Sequence, residues 1–387
     1  MTETPPPPTG SDTPASDVGP LTDLIRRQIR ATGPLSVPEF MTLALQHPEH
    51  GYYRRQQAIG AAGDFVTAPE ISQVFGELLG LWLVQRWIDL GQPGRVSLVE
   101  LGPGRGTLMA DALRAASAMP GFLPAVDLVL VETNPTLQAL QAERLAAYNP
   151  RWVEALGAIE PEHPTLVLGN EFLDVLPTAQ FAVVQGAWLE RLVSVGEDGA
   201  LSFVLGQPQT PVLPLLPPPT DGLFTELMPS LPGFFKDLSA LLRPHGGAAL
   251  FIDYGPAESA HGDSFQAVRN HRPVDPLTMP GAADLTAHVD FAAFATAATG
   301  GGATAHGPIS QRAFLTVLGL PTRADRLAAG NPDQAAAVAA AQHRLIDPAE
   351  MGILFKVLAI TSPGLATPAG FADPASAPAH NQRRPNP

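Results

Sequence analysis

Apolar residues recur at helical spacing through the first quarter of the chain. In residues 21–29 they fall at i, i+3, i+4 and i+8, and in residues 71–83 they form a longer stripe of the same kind. This periodicity is typical of helices that bury one side. Because Gly91 follows the second stripe, we predict a helical lead-in over residues 21–91 that packs on a larger body.

Two short sequences predict helix starts within this lead-in. Residues 36–39 (SVPE) form a capping box, in which the Ser36 hydroxyl accepts the Glu39 amide and the Glu39 carboxylate reaches back. Residues 67–70 (TAPE) have the same form. We therefore predict helices that begin near Val37 and near Ala68.

Beyond residue 95 the pattern changes to short apolar runs that alternate with helical stretches. The runs predict strands over 96–100, 127–132, 165–168 and 248–254, and the stretches between them predict helices over 107–118, 135–147 and 234–242. This alternation is typical of an α/β fold with a doubly wound, mostly parallel sheet. Additional strands are predicted over 181–204, and a closing edge strand over 352–360.

The pattern also suggests where the parts of the chain begin and end. Proline is frequent at both ends, and serine, threonine and aspartate accompany it in residues 1–20. This composition is typical of disordered segments. The predicted parts are a disordered lead over 1–20, a helical N-terminal cap over 21–91, a core over 92–361 with insertions at about 181–230 and 256–310, and a disordered tail over 362–387. A proline run over 208–219 is predicted to be a surface loop.

Composition narrows the classes of function. The 387 residues carry a formal net charge of −14, which disfavours nucleic acid as a partner because phosphate binding needs a basic face. The chain has no cysteine, so disulfides, thiolate metal sites and cysteine nucleophiles are excluded. Histidines and carboxylates show no metal-ligand spacing, and we predict no metal.

No segment of the sequence predicts export or a membrane span. The first basic residue is Arg26, and the two long stretches without charge, 199–220 and 291–311, are broken by proline and glycine. Neither stretch can form an unbroken apolar helix. We predict a bacterial cytoplasmic protein without stable membrane insertion, and the sequence does not define its oligomeric state.

The sharpest motif is Glu100–Gly106 (ELGPGRG), which lies between a predicted strand and a predicted helix. Ligands of open parallel sheets bind beyond the carboxyl ends of the strands, where glycine permits positive φ and close backbone approach. The pattern is not the GxGxxG of dinucleotide sites, because Thr107 stands at the third glycine position. No lysine follows to anchor a phosphate, which excludes a P-loop.

A GxGxG turn behind an acid resembles the cofactor site of class I S-adenosylmethionine (SAM) methyltransferases. Glu132 ends the second predicted strand, where its carboxylate can accept the ribose hydroxyls. The amino-acid end and the sulfonium of the cofactor also need acids and carbonyls, and Glu100 is a candidate acid. The alternative is that the glycines only make a tight strand–helix turn. The predicted cofactor residues are Glu100, Gly102, Gly104, Gly106, Glu132 and Asn170.

Seven motifs in order along the chain resemble the MidA-type (DUF185) methyltransferases. They are residues 63–70 (GDFVTAPE), 100–109 (ELGPGRGTLM), 170–177 (NEFLDVLP), 253–255 (DYG), 266–277 (QAVRNHRPVDPL), 283–291 (ADLTAHVDF) and 351–359 (MGILFKVLA). Leu173 replaces the second aromatic residue that is usual in this family. The resemblance implies a Rossmann-like fold, SAM as cofactor, and a protein arginine as methyl acceptor, such as one in a subunit of a complex I-type NADH dehydrogenase.

Polar residues after the later strands are the candidates for acceptor contacts. Glu171 and Asp174 follow the third strand, and two carboxylates can orient a guanidinium, which is always protonated and a poor nucleophile. Asp253, Tyr254 and His271 are further candidates for substrate binding. The alternatives are that Glu171 caps a helix, that Asp174 is solvated, and that Tyr254 and the histidine are structural.

Two other functions stay open at this point. One is methylation of a small molecule, and the other is an assembly chaperone that keeps SAM only as a structural ligand. Transfer of a labelled methyl group from SAM to protein separates these possibilities.

Overall fold

The computed structural model describes residues 19–54, 67–209 and 218–371. Its strands are β1 Leu35–Ser36, β2 Val96–Leu101, β3 Val126–Val131, β4 Arg151–Val153, β5 Thr165–Asn170, β6 Ala179–Val184, β7 Ala187–Val195, β8 Leu201–Gln209, β9 Phe224–Leu227, β10 Gly247–Tyr254, β11 Gln266–Arg269, β12 Arg272–Val274, β13 Asp284–Thr286, β14 Thr304–Ser310 and β15 Phe355–Thr361.

The α-helices of the same segments follow in chain order. They are α1 Pro20–Thr32, α2 Val37–Gln46, α3 Ala68–Ile71, α4 Gln73–Asp89, α5 Thr107–Ala116, α6 Phe122–Ala125, α7 Pro135–Arg144, α8 Leu231–Leu242, α9 Phe291–Gly300, α10 Gln311–Val317, α11 Leu320–Gly330, α12 Ala335–Ile346 and α13 Met351–Leu354. The predicted lead (1–18), part of the first family motif (63–66), part of the proline run (210–217) and the end of the tail (372–387) lie outside the described residues.

A seven-stranded sheet forms the centre of the molecule, in the order β14-β15-β10-β5-β2-β3-β4. β10, β5, β2, β3 and β4 are parallel, and β15 and β14 are antiparallel to their neighbours. The chain runs outward from β2 to β4 on one side and then returns to β5 on the other. This order confirms the predicted doubly wound α/β class and places a topological switch point between β2 and β5.

Both faces of the central sheet are buried, which explains why its strands are continuous apolar runs. On one face Phe75 and Trp82 of α4 pack with Leu113 of α5 against β2, β3 and β5. On the other face Phe235 of α8 and Phe294 of α9 form an aromatic pair with ring centroids 5.4 Å apart.

A second, antiparallel sheet joins the predicted cap to the first insertion. β1 pairs with β7, and β6, β8 and β9 complete the sheet. α1 and α2 pack on it through Ile25 and Phe40, in one cluster with Val193 of β7 and Leu285 of β13. The predicted cap over 21–91 is therefore divided, because α1 and α2 belong to this N-terminal layer while α4 packs on the central sheet.

One of the two predicted capping boxes is present. Ser36 caps α2, with its hydroxyl 3.3 Å from the Glu39 amide and its own amide 2.8 Å from the Glu39 carboxylate. The predicted capping box at Thr67 is absent, because the Thr67 side chain makes no capping hydrogen bond. The helix that follows, α3, is only one turn long. Ser72 caps the longer α4 instead, and its hydroxyl accepts the Val74 amide.

The C-terminal part also differs from the prediction. β15 is not an edge strand, because β14 covers its outer side. β14 contains Pro308, and a residue without an N–H group is tolerated best on an edge. The predicted tail is wrong over residues 362–371, where the Ala366 carbonyl accepts a hydrogen bond from Arg86 and Phe371 packs on Phe314.

No helix in the described parts of the chain is both long and apolar enough to cross a membrane.

The close approach of α4 and α5 predicts a stability effect. A Cβ added at Gly80 would lie 2.2 Å from the Ala112 carbonyl oxygen, whereas one at Gly233 of α8 would meet nothing within 4 Å. We expect Gly80→Ala to lower the free energy of unfolding by about 1–3 kcal/mol through overpacking. The matched control Gly233→Ala should leave it unchanged or raise it by up to about 1 kcal/mol. Urea unfolding measures both, and equal stability of the two variants would contradict this packing.

Candidate functional site

A cavity of about 500 Å³ opens at the carboxyl ends of β2, β3, β5 and β10. This size is typical of small-molecule sites. The ends of these strands and the segments that follow them supply most of its wall, and the N-terminal layer adds Leu45 and Tyr53. The cavity therefore lies at the switch point of the sheet, where the sequence places the glycine turn.

The glycine turn has the backbone that its sequence predicts. Gly102, Gly104 and Gly106 have φ values of 57°, 52° and 75°, which other residues rarely adopt. The first two line the cavity. Gly106 caps α5 and lies beneath the turn, where an added Cβ would be 3.4 Å from Leu145. Gly106 does not line the cavity, and its observed position is at the start of α5.

Two carboxylates flank the glycine turn. Glu100 is 2% exposed, and burial raises the pKa of its carboxyl to about 8. Its Oε2 atom has no hydrogen-bond partner among the described residues. Glu132 follows β3 and accepts the Asn134 amide at 2.7 Å, and burial raises its pKa as well. Both carboxylates line the cavity.

Gln141 of α7 is a structural residue of this site that the sequence analysis missed. Its side chain is fully buried, with Nε2 2.7 Å from the Gly104 carbonyl and 3.4 Å from Glu132 Oε2. Its Oε1 accepts a hydrogen bond of 2.7 Å from the indole of Trp152. The available signal was a polar residue between Leu137 and Leu145 on the apolar stripe of a helix.

The end of β5 and the loop after it bring Asn170, Glu171 and Asp174 to the cavity. Glu171 has φ 51°, and its Oε1 accepts the Ala68 amide at 3.1 Å and the Asn170 side-chain amide at 3.0 Å. Burial raises the pKa of its carboxyl to about 7, with a further contribution from the charge of Asp174. The Glu171 side chain therefore connects the start of α3 to the end of β5.

Asp174 is 5% exposed, and its Oδ2 accepts the Tyr254 hydroxyl at 2.6 Å. Burial raises the pKa of this carboxyl to about 6. Within the described residues its Oδ1 has no partner. Tyr254 lines the cavity, so the structure brings this predicted substrate residue to the site.

Two predicted substrate residues lie elsewhere. Asp253 is fully buried, and its Oδ2 accepts the backbone amides of Phe172, Leu173 and Asp174 at 3.1, 2.9 and 3.3 Å. Its carboxylate holds the loop and does not line the cavity. His271 is exposed at the β11–β12 hairpin with φ 58°. The structure does not bring these two predicted substrate residues to the cavity.

Two further side chains of the cavity wall were not singled out from the sequence. Tyr53 lies in a 3₁₀ turn after α2, and Asp284 begins β13. The Tyr53 hydroxyl donates to Asp284 Oδ1 at 3.0 Å. Burial and the nearby carboxylates raise the pKa of this tyrosine, which stays a neutral donor.

Known proteins resemble this chain over most of its length. It is 37% identical to the mitochondrial protein arginine methyltransferase NDUFAF7 homolog of Drosophila melanogaster, over 91% of this chain and 87% of that protein. It is 34% identical to the human mitochondrial protein arginine methyltransferase NDUFAF7, over 88% of this chain and 84% of that protein.

A solved structure agrees with these relatives. It is a likely methyl transferase from Burkholderia thailandensis bound to S-adenosyl-homocysteine, 29% identical to this chain, with a TM-score of 0.77 over 90% of this chain and 93% of the other. The model of a family of S-adenosyl-L-methionine-dependent methyltransferases matches residues 78–309. These findings confirm the resemblance drawn from the motifs, and the chain belongs to this family of SAM-dependent methyltransferases.

Proposed function

We propose that this methyltransferase acts on an arginine side chain of a protein. The observation that carries the proposal is a pair of carboxylates, half-buried Glu171 and buried Asp174, in the same cavity as the glycine turn. The names of the mitochondrial relatives support the same acceptor. We further propose a complex I-type NADH dehydrogenase subunit as the acceptor protein and the bacterial cytoplasm as the location.

The residues around the glycine turn fit SAM. The backbone at Gly102 and Gly104 permits close approach, and Glu100 has a buried oxygen without a partner among the described residues. Glu132 and Asn170 add acceptors at the ends of neighbouring strands. Gly106 supports the turn from below. The bound cofactor supplies a methyl group on a positively charged sulfur, which buried carboxylates and carbonyls stabilise.

Glu171 and Asp174 would act on the acceptor. A guanidinium has a pKa above 12 and needs its charge localised before one nitrogen can attack. Two carboxylates can hold it by charge-assisted hydrogen bonds and leave one terminal nitrogen free. When that nitrogen gains a methyl group it loses a proton, and the Glu171 carboxylate, with its pKa of about 7, can accept it.

Transfer from isotope-labelled SAM to proteins of a cell extract that lacks this enzyme tests the proposal. We expect labelled protein, with the methyl group on arginine by mass spectrometry. A label on lysine, on a carboxylate or on a metabolite would overturn the arginine assignment. Binding of SAM without transfer to any protein would instead favour the chaperone function.

Glu132→Ala should weaken SAM binding by about 1.5–3 kcal/mol, the value of a hydrogen bond to a charged group. Isothermal titration calorimetry measures the affinity. Glu143→Ala is the matched control, because Glu143 lies exposed on α7 outside the cavity. Unchanged affinity of the Glu132 variant would place the ribose partner elsewhere.

The affinity for SAM should also depend on pH. The pKa of Glu100 is raised to about 8, so its carboxyl is mostly protonated at pH 6 and gains charge as the pH rises. A cationic ligand favours the charged form, and binding should therefore release a proton and strengthen between pH 6 and 7.5, by up to about tenfold per pH unit. Calorimetry in two buffers of different ionisation enthalpy detects the proton. The same pH dependence in Glu100→Gln would contradict this role.

Glu171→Gln should reduce kcat/KM for the acceptor by about 100-fold or more, the contribution of a positioned base, while the SAM affinity stays normal. The glutamine oxygen can still accept the Ala68 amide, so the fold should persist. In the unchanged protein, activity should fall as the pH drops through 7 to 6, since Glu171 and Asp174 then lose their charge. Initial rates measure both effects, with the exposed Glu162→Gln as control. Full activity of the Glu171 variant would exclude this residue from the reaction.

A further inference from the structure

Tyr254, the last residue of β10, is held in place by several contacts. Its amide donates to Asp253 Oδ1 at 2.9 Å, and its carbonyl accepts the Val289 amide at 3.0 Å. Its ring packs against the rings of His288 and Phe355, with centroids 5.7 and 5.4 Å away. The residue is 9% exposed and lines the cavity. The Tyr254 hydroxyl therefore has a defined position in the cavity wall.

That hydroxyl makes the two oxygens of the Asp174 carboxylate unlike. It donates to Oδ2 at 2.6 Å, whereas Oδ1 is buried and has no hydrogen-bond partner among the described residues. None of the ion pairs that those residues form includes Asp174. A buried acceptor without a donor costs free energy until a ligand supplies one. Since Asp174 lines the cavity, Oδ1 is the oxygen that it offers to a ligand.

The phenol also favours the charged form of Asp174. The titratable groups around this pair are Glu171, Asp253, Tyr53, Asp284 and His288. Burial lowers the pKa of His288, so none of these groups brings a positive charge at neutral pH. Burial raises the pKa of Asp174 to about 6, and the hydrogen bond from Tyr254 acts in the opposite direction. Without that hydrogen bond, Asp174 stays protonated up to a higher pH.

We propose that Tyr254 is a positioning residue for the methyl acceptor, because it occupies Oδ2 of Asp174 and leaves Oδ1 to bind the guanidinium. This inference rests on the proposed function and adds a residue to it. Glu171 has a similar arrangement, since its Oε1 already accepts the Ala68 amide and the Asn170 side chain. Each acid thus gives one oxygen to a different guanidinium nitrogen, and the third nitrogen is free to attack the methyl group.

Tyr254→Phe tests this role, because it removes the hydroxyl and keeps the ring. We expect kcat/KM for the arginine acceptor to fall about tenfold or more at pH 7, the scale of a hydrogen bond to a charged group. The acid limb of the kcat/KM profile should move to higher pH, and activity should recover toward about pH 8.5 as Asp174 regains its charge. The affinity for S-adenosylhomocysteine should not change.

Tyr148→Phe is the matched control, since Tyr148 is half-buried and does not line the cavity. It should change neither the rate nor the position of the acid limb. A purely structural role of Tyr254 would lower the activity at every pH without moving the acid limb. That result, or a profile equal to that of the unchanged protein, would overturn the proposal.

Combination with Asp174→Asn gives a second test. Asparagine has no charge for the phenol to stabilise, so Tyr254→Phe should lower kcat/KM by less than about twofold in this background. Full additivity of the two substitutions would mean independent roles and would contradict the proposal.

A third measurement decides if Tyr254→Phe does not fold. The chain has four tyrosines, and labelling with 3-fluorotyrosine makes each visible by fluorine NMR. One resonance should titrate with a midpoint near the Asp174 pKa of about 6 and lose this titration in Asp174→Asn. The absence of such a tyrosine would overturn the pairing and the role with it.

This proposal and the proposed function fail in different ways. If arginine is methylated and Tyr254→Phe keeps the rate and pH profile of the unchanged protein, the positioning role is overturned and the proposed function stands. If the unchanged protein methylates no arginine, the proposed function is overturned, and the role of Tyr254 toward a guanidinium falls with it.

Discussion

The buried carboxylate of Asp253 is the contact on which the active site depends. One of its oxygens accepts three consecutive backbone amides of the loop after β5, and the other accepts the Tyr254 amide. A fully buried carboxylate is costly unless it is satisfied in this way, so the loop has one strongly preferred path. That path fixes Glu171 in its left-handed conformation and turns Asp174 toward the cavity.

The consequence is a cavity lined by several buried and half-buried acids. Glu100, Glu132, Glu171 and Asp174 line it, and burial raises the pKa of each. Such groups are stabilised as anions by cations, and both SAM and a guanidinium bring positive charge. Burial of these acids therefore has two effects. It makes their charged forms electrostatically unfavourable, and it favours ligands that carry positive charge.

Hydrogen bonds from the N-terminal part of the chain, including the start of α3, help to complete this cavity. The Ala68 amide reaches Glu171, the Tyr53 hydroxyl reaches Asp284, and the Tyr53 carbonyl accepts from the Asn134 side chain. Each bond joins segments far apart in the chain. A change in the docking of these N-terminal segments would reach both Glu171 and Asp284, which couples the enclosure of the site to the orientation of its acids.

The sequence by itself determined the features that local chemistry sets. Continuous apolar runs defined four of the five parallel strands but missed the short β4. Three glycines defined the positive-φ turn, Ser36 defined a helix start, and Glu132 and Asp174 fell in the segments that follow β3 and β5. Successive residues of a strand point to opposite faces. Only the tertiary structure decided which face is which, so that Asp253 faces the loop while Tyr254 lines the cavity. It also decided the roles of Tyr53, Gln141 and Asp284, whose partners are brought near by packing. Residues 53 and 284 are 231 positions apart, and no local pattern in the chain encodes a contact over that distance.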